Sequence, residues 1–500
     1  MHNAGARGVK RACVVGAGIG GLALAIRLQS AGIETVLVEA RDRPGGMACS
    51  QGREGFTFDA GPAAITDPAA LRQLWQLSGH DMADDVELMP VMPFFRLNWP
   101  DGTNFDYSND EAALRREIAR LAPADLGGYD DFLRYCAACH QQAYANLGHE
   151  ALGGLKPLIT SLPKLARHQA WRSVHGIASS HVKHPKLRQA LSFATLFAGG
   201  NPMTTSAIYA LIHKLEKDGG VWWVKGGMGR LASAMARHFE RLGGTMRLDD
   251  RAIRLHTLGD RISEVETASG WRERFDAFAS NADIMHTYRE LLSGTPRGSQ
   301  MTGKLARKRF SPSQFVVHFG LEGAWPGIPH HMVLFGPRYG EWLADIYQHG
   351  VLPQDLQIFL HHPTVTDPSV APVGKSTFQA AVPVAHLGKL PIDWDEAGPI
   401  LEKRILDEIG RRLVPDIHDR IVTSFHYAPD DFEAELGTYH GSAFGLEPVF
   451  GQLGPFRPHN RDGALKNLYL VGASTHPGAG IPGVVAGASV TAGLMLESLA

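Results

Sequence analysis

Cysteine is scarce: Cys13, Cys49, Cys136 and Cys139 are the only four in 500 residues. So few, so unevenly spaced, exclude a disulfide-stapled scaffold. Only Cys136 and Cys139 have C-x-x-C spacing, and the two further ligands that a structural zinc site needs are missing at matched spacing. The four are therefore read as buried or half-buried thiols. Net charge is also small, 49 Lys and Arg against 51 Asp and Glu, which gives no argument for a nucleic-acid partner. No apolar run approaches the roughly 20 residues of a membrane-crossing helix. There is no internal repeat and no low-complexity tract. Histidine is plentiful, but His330-His331 and His361-His362 are adjacent in strand-like stretches, where successive side chains face opposite ways. They are read as structural, and no metal is expected. What is left is a globular enzyme of two or three domains with ample core.

The most informative stretch is Cys13-Val-Val-Gly-Ala-Gly-Ile-Gly-Gly-Leu-Ala-Leu-Ala-Ile-Arg27. A short apolar run reads as a buried strand, turns on Gly16 and Gly18, and continues as a helix to about Ser30. Gly16 permits the tight turn, Gly18 the approach of a pyrophosphate, and Gly21 close packing of helix on strand. The helix start offers unpaired N–H groups and a positive dipole end to phosphates. Thr35-Val-Leu-Val-Glu39 reads as the second strand, with Glu39 placed to bind a ribose diol and to repel a 2′-phosphate. Lys10-Arg11 followed by apolar residues superficially resembles a secretion signal. That apolar stretch is the nucleotide-binding unit itself, so a cytoplasmic chain is expected.

Further along, Ala40-Arg-Asp-Arg-Pro-Gly-Gly46 is a turn whose glycines allow a second close approach to the cofactor. Gly55-Phe-Thr-Phe-Asp-Ala-Gly-Pro62 reads as a strand and turn, an element that a flavin dinucleotide in an extended pose would use. Residues 71–224 read as mostly helical, with a basic, apolar segment from 153 to 198 carrying Lys156, Lys164, Arg167, Arg172, Lys183, Lys186 and Arg188. That segment is either a solvated face over a core stripe or an amphipathic surface for an anionic membrane. Residues 225–289 return to the nucleotide domain, bringing the backbone near Ala252 against the adenine. Residues 290–460 have the composition of a substrate domain with a mixed or antiparallel sheet. Residues 461–500 repeat the first motif as strand, glycine loop and helix. The expected fold is α/β: a Rossmann-type FAD-binding domain, discontinuous over 1–70, 225–289 and 461–500, with a mixed-sheet substrate domain and a helical membrane-facing subdomain.

At this point the residues resemble a family. Gly55 to Pro62, Ile65-Thr-Asp-Pro68, Gln169-Ala-Trp-Arg-Ser-Val174, Gly199-Gly-Asn-Pro202, Phe335-Gly-Pro-Arg-Tyr339, Phe456-Arg-Pro-His-Asn460 and Thr475-His-Pro-Gly-Ala-Gly-Ile-Pro-Gly483 are similar to bacterial-type phytoene desaturases, the flavin-dependent carotenoid desaturase family. The resemblance runs from about Lys10 to Leu499. It implies FAD as sole redox cofactor, a long polyene substrate, peripheral attachment to the inner face of the cell membrane, and oxygen or a quinone as electron acceptor. Met47 stands where that family commonly has arginine, and Ser474 where it usually has glycine. The expected cofactor contacts are Gly16, Ala17, Gly18, Gly20, Gly21, Glu39, Ala40, Arg41, Gly45, Gly46, Asp59, Gly61, Pro62, Ala252, Asn281, Gly472, Gly480, Ile481, Pro482 and Gly483. Glu447 and His476 are the candidate proton acceptors. The expected reaction is desaturation of phytoene; the alternatives are a flavin-dependent isomerase or saturase of another polyene, or a diverged polyene-binding protein.

Overall fold

A parallel sheet of five strands carries the nucleotide-binding half, in the order Leu468–Leu470, Ala277–Ser280, Arg11–Val15, Glu34–Val38 and Thr245–Arg247. The computed structural model describes residues 9–61, 64–146, 148, 150–152, 160 and 163–500. Pro62 and Lys156 lie outside the described residues. Alternation along Arg11–Val15 sends Ala12 and Val14 to one face and Cys13 and Val15 to the other. The first face is covered by the helices Ile19–Ser30, Met228–Arg241 and Ile481–Leu499. The second packs against the antiparallel sheet that begins at Ala252–Leu258. Both faces are thus buried, which is why these strands read as continuous apolar runs.

The helix Ile481–Leu499 corrects one expectation. At 19 residues and mean hydropathy 1.3, it is long and apolar enough to cross a membrane by length and composition. Half of it is buried within the protein, where its small residues pack against Ile19–Ser30. Its alanines and glycines make it apolar without making it bulky.

The second half is built on a seven-stranded mixed sheet ordered Ile421–Tyr427, Ser313–Glu322, Lys375–Val384, Ile358–His361, His331–Leu334, Phe95–Asn98 and Asn104–Tyr107. Neighbours are antiparallel except His331–Leu334 beside Phe95–Asn98. One face, with Phe315, Val317, Phe319, Phe378, Ala380 and Val382, packs against the helix Trp394–Arg412. The other face carries Gln314, Val333, Phe359, Gln379, Ala381 and Pro383 and looks into a cavity. The helices Leu126–Cys139, Val174–His181 and Leu211–Gly219 close over the sheet's far edge. All four cysteines are buried free thiols.

Candidate cofactor and substrate site

One cavity of about 630 Å³ runs from the glycine motifs to the front face of the mixed sheet. At its first end, Gly16 turns the chain with φ at +96°, a conformation that disfavours any side chain. Its N–H donates to Val38 O at 2.7 Å. A Cβ on Gly18 would meet Asn281 Nδ2 at 2.8 Å, and one on Gly21 would meet Gly16 O at 2.0 Å. Gly21 therefore fastens helix to strand, whereas Gly18 keeps the wall open. Glu39 is buried directly after its strand. Its Oε2 accepts from Ala17 N at 2.7 Å and its Oε1 from Arg41 N at 3.0 Å, so the carboxylate is held rigidly with lone pairs still facing the cavity. Arg41 Nη2 donates to Gly46 O at 2.6 Å and fixes the second glycine turn.

Two helices begin at this cavity. The one from Ile19 is capped by Gly18 and the one from Ile481 by Gly480. Neither has a side-chain cap, and neither has an acidic residue in its first turn. Their first-turn N–H groups and positive dipole ends are available to a ligand that carries negative charge at two places. A pyrophosphate and the electron-accepting end of a flavin dinucleotide are such a pair, and the residues present fit FAD.

Of the expected contacts, Gly16, Gly18, Gly20, Glu39, Ala40, Arg41, Gly45, Gly46, Gly61, Ala252, Asn281, Gly472, Gly480, Ile481, Pro482 and Gly483 all line this cavity. Ala17 and Gly21 stand just behind the lining. Asp59 is behind it too: it accepts from Met228 N at 2.9 Å and from Ser50 Oγ, anchoring the start of helix Met228–Arg241, and burial pushes its carboxyl up to about 6. Met47 lines the cavity and packs against Val316, Ala381 and Phe432. Ser474 Oγ accepts from Leu446 N at 3.3 Å, bracing the loop that lines the flavin end.

His476 lines the cavity, whereas Glu447 is not among the lining residues. Glu447 is buried in a bidentate pair with Arg309, at 2.7 and 2.9 Å, a geometry that joins two loops. Burial raises its carboxyl against the pull of Arg309.

Two other buried charged groups, Arg457 and Glu216, were not among the expected site residues. Arg457 donates to the carbonyls of Thr475 at 3.1 Å and of Leu446 and Gln452 at 3.3 Å, and Asn460 Nδ2 donates to His476 O at 2.9 Å. Together they hold the 473–477 loop against the cavity. Glu216, on Leu211–Gly219, is only 2 % exposed and lines the cavity. Burial pushes its carboxyl up to about 8.

The second end of the cavity is hydrocarbon. Phe95, Phe193, Leu196, Phe197, Ile208, Val333, Phe335, Ile358 and Phe359 form its wall, with Phe95 stacked on Phe197 and edge-on to Phe193. His331 also lines this arm. Here the expected divergence of adjacent histidines fails for one pair. The strand begins at His331, so His330 is free of its alternation, and the two rings lie 4.6 Å apart. His361 and His362 do diverge: His361 joins His330 and His331, while His362 stacks on Phe378 on the opposite face.

A dinucleotide cradle at two helix starts, joined to an apolar arm, defines an FAD-dependent oxidoreductase. The family model of flavin containing amine oxidoreductases matches residues 19–496. The chain is 50 % identical over 498 residues to a lycopene-forming phytoene desaturase of a Paracoccus species, covering 100 % of this chain and 99 % of that one. It is 47 % identical to the lycopene-forming phytoene desaturase of Pantoea ananas, over 98 % of this chain and 100 % of that one. An oxidoreductase structure from Methanosarcina mazei shares the fold with a TM-score of 0.63 at 15 % identity, covering 96 % of this chain and 98 % of that one. The chain belongs to the flavin-containing amine oxidoreductases and, within them, to the bacterial-type carotenoid desaturases.

Proposed function

We propose that this protein desaturates 15-cis-phytoene to more conjugated carotenes such as neurosporene or lycopene. The observation that carries the reading is the continuity of one cavity from the glycine cradle to an arm walled by Phe95, Phe193, Phe197, Phe335 and Phe359. A long unfunctionalised polyene gains affinity only by leaving water, and an aromatic tube provides that at roughly 25 cal/mol per Å² of buried apolar surface. FAD, when bound, supplies the acceptor for a hydride leaving an allylic carbon. The chain's own contribution is to align the polyene, exclude water and receive the proton that leaves the neighbouring carbon. His476, in the wall and fixed through its carbonyl by Asn460, is the group to which we assign that proton. Glu216 holds its own proton near neutral pH, which keeps the arm free of charge. The electrons then pass to oxygen or a quinone.

The same reading places the protein in the cytoplasm, resting on the inner face of the cell membrane. Leu165, Leu211 and Leu215 line the cavity. Lys164 and Arg167 flank Leu165 and are exposed, and Trp171 is 60 % exposed a few residues on. An aromatic beside cations next to the wall of an apolar cavity supports delivery of the polyene from a bilayer.

The test is anaerobic. FAD-loaded protein is mixed with liposomes containing phytoene, flavin absorbance is followed, and the extracted pigments are separated. Bleaching with a longer-wavelength polyene is the expected result, and its absorption maximum counts the double bonds made. Oxidised flavin with unchanged phytoene would overturn the reading in favour of another polyene reaction.

A further inference from the structure

We propose that His330, His331 and His361 form a binding site for one divalent transition-metal ion of the zinc type, behind the apolar arm, whose wall His331 lines. One ring nitrogen from each histidine lies within 4.8 Å of the others, and all three residues are buried. The ring centroids are 4.6, 4.9 and 5.3 Å apart. His330 Nε2 and His361 Nε2 are separated by 3.1 Å. Two imidazole nitrogens bound tetrahedrally at the usual zinc distance sit about 3.3 Å apart, so the pair is already at ligand spacing and the rings need only turn to aim both lone pairs at one ion.

The outer nitrogens are also provided for. His331 Nδ1 lies 3.0 Å from the Phe94 carbonyl oxygen, which only accepts, so the ring hydrogen sits on Nδ1 and the lone pair on Nε2. His330 Nδ1 is 2.7 Å from Thr366 Oγ1. His361 stands directly opposite Gln379 on the neighbouring strand. Partners of this kind orient ligating imidazoles and set their tautomers.

Metal entry replaces the hydrogen bond between His330 and His361. The displaced hydrogen moves to Nδ1 of the ring that carried it; in His330 that nitrogen faces Thr366 Oγ1. Nitrogen donors of intermediate softness suit zinc, copper or iron over magnesium and calcium. Three protein ligands leave one position for water or another small ligand. His331 and His361 sit in register on paired strands, so the set is rigid before any ion arrives. The site is argued from the three histidines alone, and its test does not use turnover.

The test takes the full, tag-free, FAD-loaded chain, strips it with a chelator and titrates it with Zn²⁺ by calorimetry and with Co²⁺ by visible spectroscopy. The expected result is one ion per chain at micromolar affinity or tighter, with the ligand-field absorption of a four-coordinate nitrogen site. His361→Gln and His330→Gln should each weaken binding by about 100-fold or more while the flavin spectrum persists. His418→Gln, at the surface pair with Asp407, should bind as the parent does. X-ray absorption of the zinc-loaded parent should count three imidazoles, and this decides the matter even if both cluster variants lose their flavin. No stoichiometric uptake, unchanged affinity in the cluster variants, loss in His418→Gln, or fewer than three imidazoles would each overturn the assignment.

Discussion

A carboxyl group on the wall of a hydrocarbon cavity is tolerated only without its charge, and Glu216 is held in that state by burial. Its carboxyl is pushed from an ordinary 4.5 up to about 8. The folded state therefore binds this proton more tightly than the unfolded chain does. The resulting stabilisation is complete below about pH 4.5 and is lost as pH rises through about 8. Glu216→Gln should thus melt with the parent at pH 5 and above it at pH 9, as differential scanning calorimetry would record; a gap that does not grow with pH would mean that the carboxyl is solvated. Glu39 presents the opposite case, a buried carboxylate whose charge is used twice by backbone N–H groups. Glu39→Ala leaves Ala17 N without its acceptor, at a cost of about 1–3 kcal/mol, and also removes a carboxylate from the cavity wall. The purified variant should carry much less FAD per chain by absorbance than the parent. These two residues also differ in how openly the sequence declared them. Glu39 ends a strand after a glycine motif and was legible. Glu216 sits among Lys214, Lys217 and Asp218 on a short helix, where a lone glutamate looks like part of a solvated face.

At the scale of elements, the strand–turn–helix units were legible because their requirements are local. Gly16, Gly18 and Gly21 are spaced by the turn and the packing that they permit, and Ile481–Leu499 follows a loop of the same kind. The helix begins at Ile481, directly after Gly480, because Pro482 suits the first turn, where no N–H is needed. Pairings between distant segments carry no such local mark. Phe95–Asn98 lies parallel to His331–Leu334 more than 230 residues away, and nothing near either strand announces the other. The C-terminal helix offers a paired test of what its glycines do. A Cβ on Gly483 would meet Gly478 O at 2.6 Å, whereas one on Gly493 meets nothing within 4 Å. Gly493→Ala should stabilise the protein by about 1 kcal/mol, the helix-propensity difference. Gly483→Ala should lower both the melting temperature and the FAD content. Equal melting temperatures would mean that the loop ahead of the helix yields freely.

For the whole molecule, the charge balance hides an asymmetry that bears on where the protein works. The formal net charge is −2, yet Lys164, Arg167 and Lys183 of one basic segment are exposed, as is Trp171. Other cations of the same basic segment are already engaged: Lys186 donates to Thr103 at 2.7 Å, and Arg188 to the Val182 carbonyl at 2.9 Å. The segment thus divides into a braced part and a part that faces solvent, a division that composition alone does not reveal. Each free cation near an anionic bilayer contributes about 1 kcal/mol, and the attraction is screened by salt. The full chain should therefore sediment with liposomes rich in anionic lipid, less with neutral ones, and less again at high salt. Lys164→Glu with Arg167→Glu reverses two charges and should release most of the bound protein. Trp171→Ala removes an apolar anchor and should weaken binding to both lipid types. Because these side chains stand outside the cavity lining, both variants should keep their flavin. Unchanged sedimentation of all variants at low salt would place the docking face elsewhere and leave the polyene a different way in.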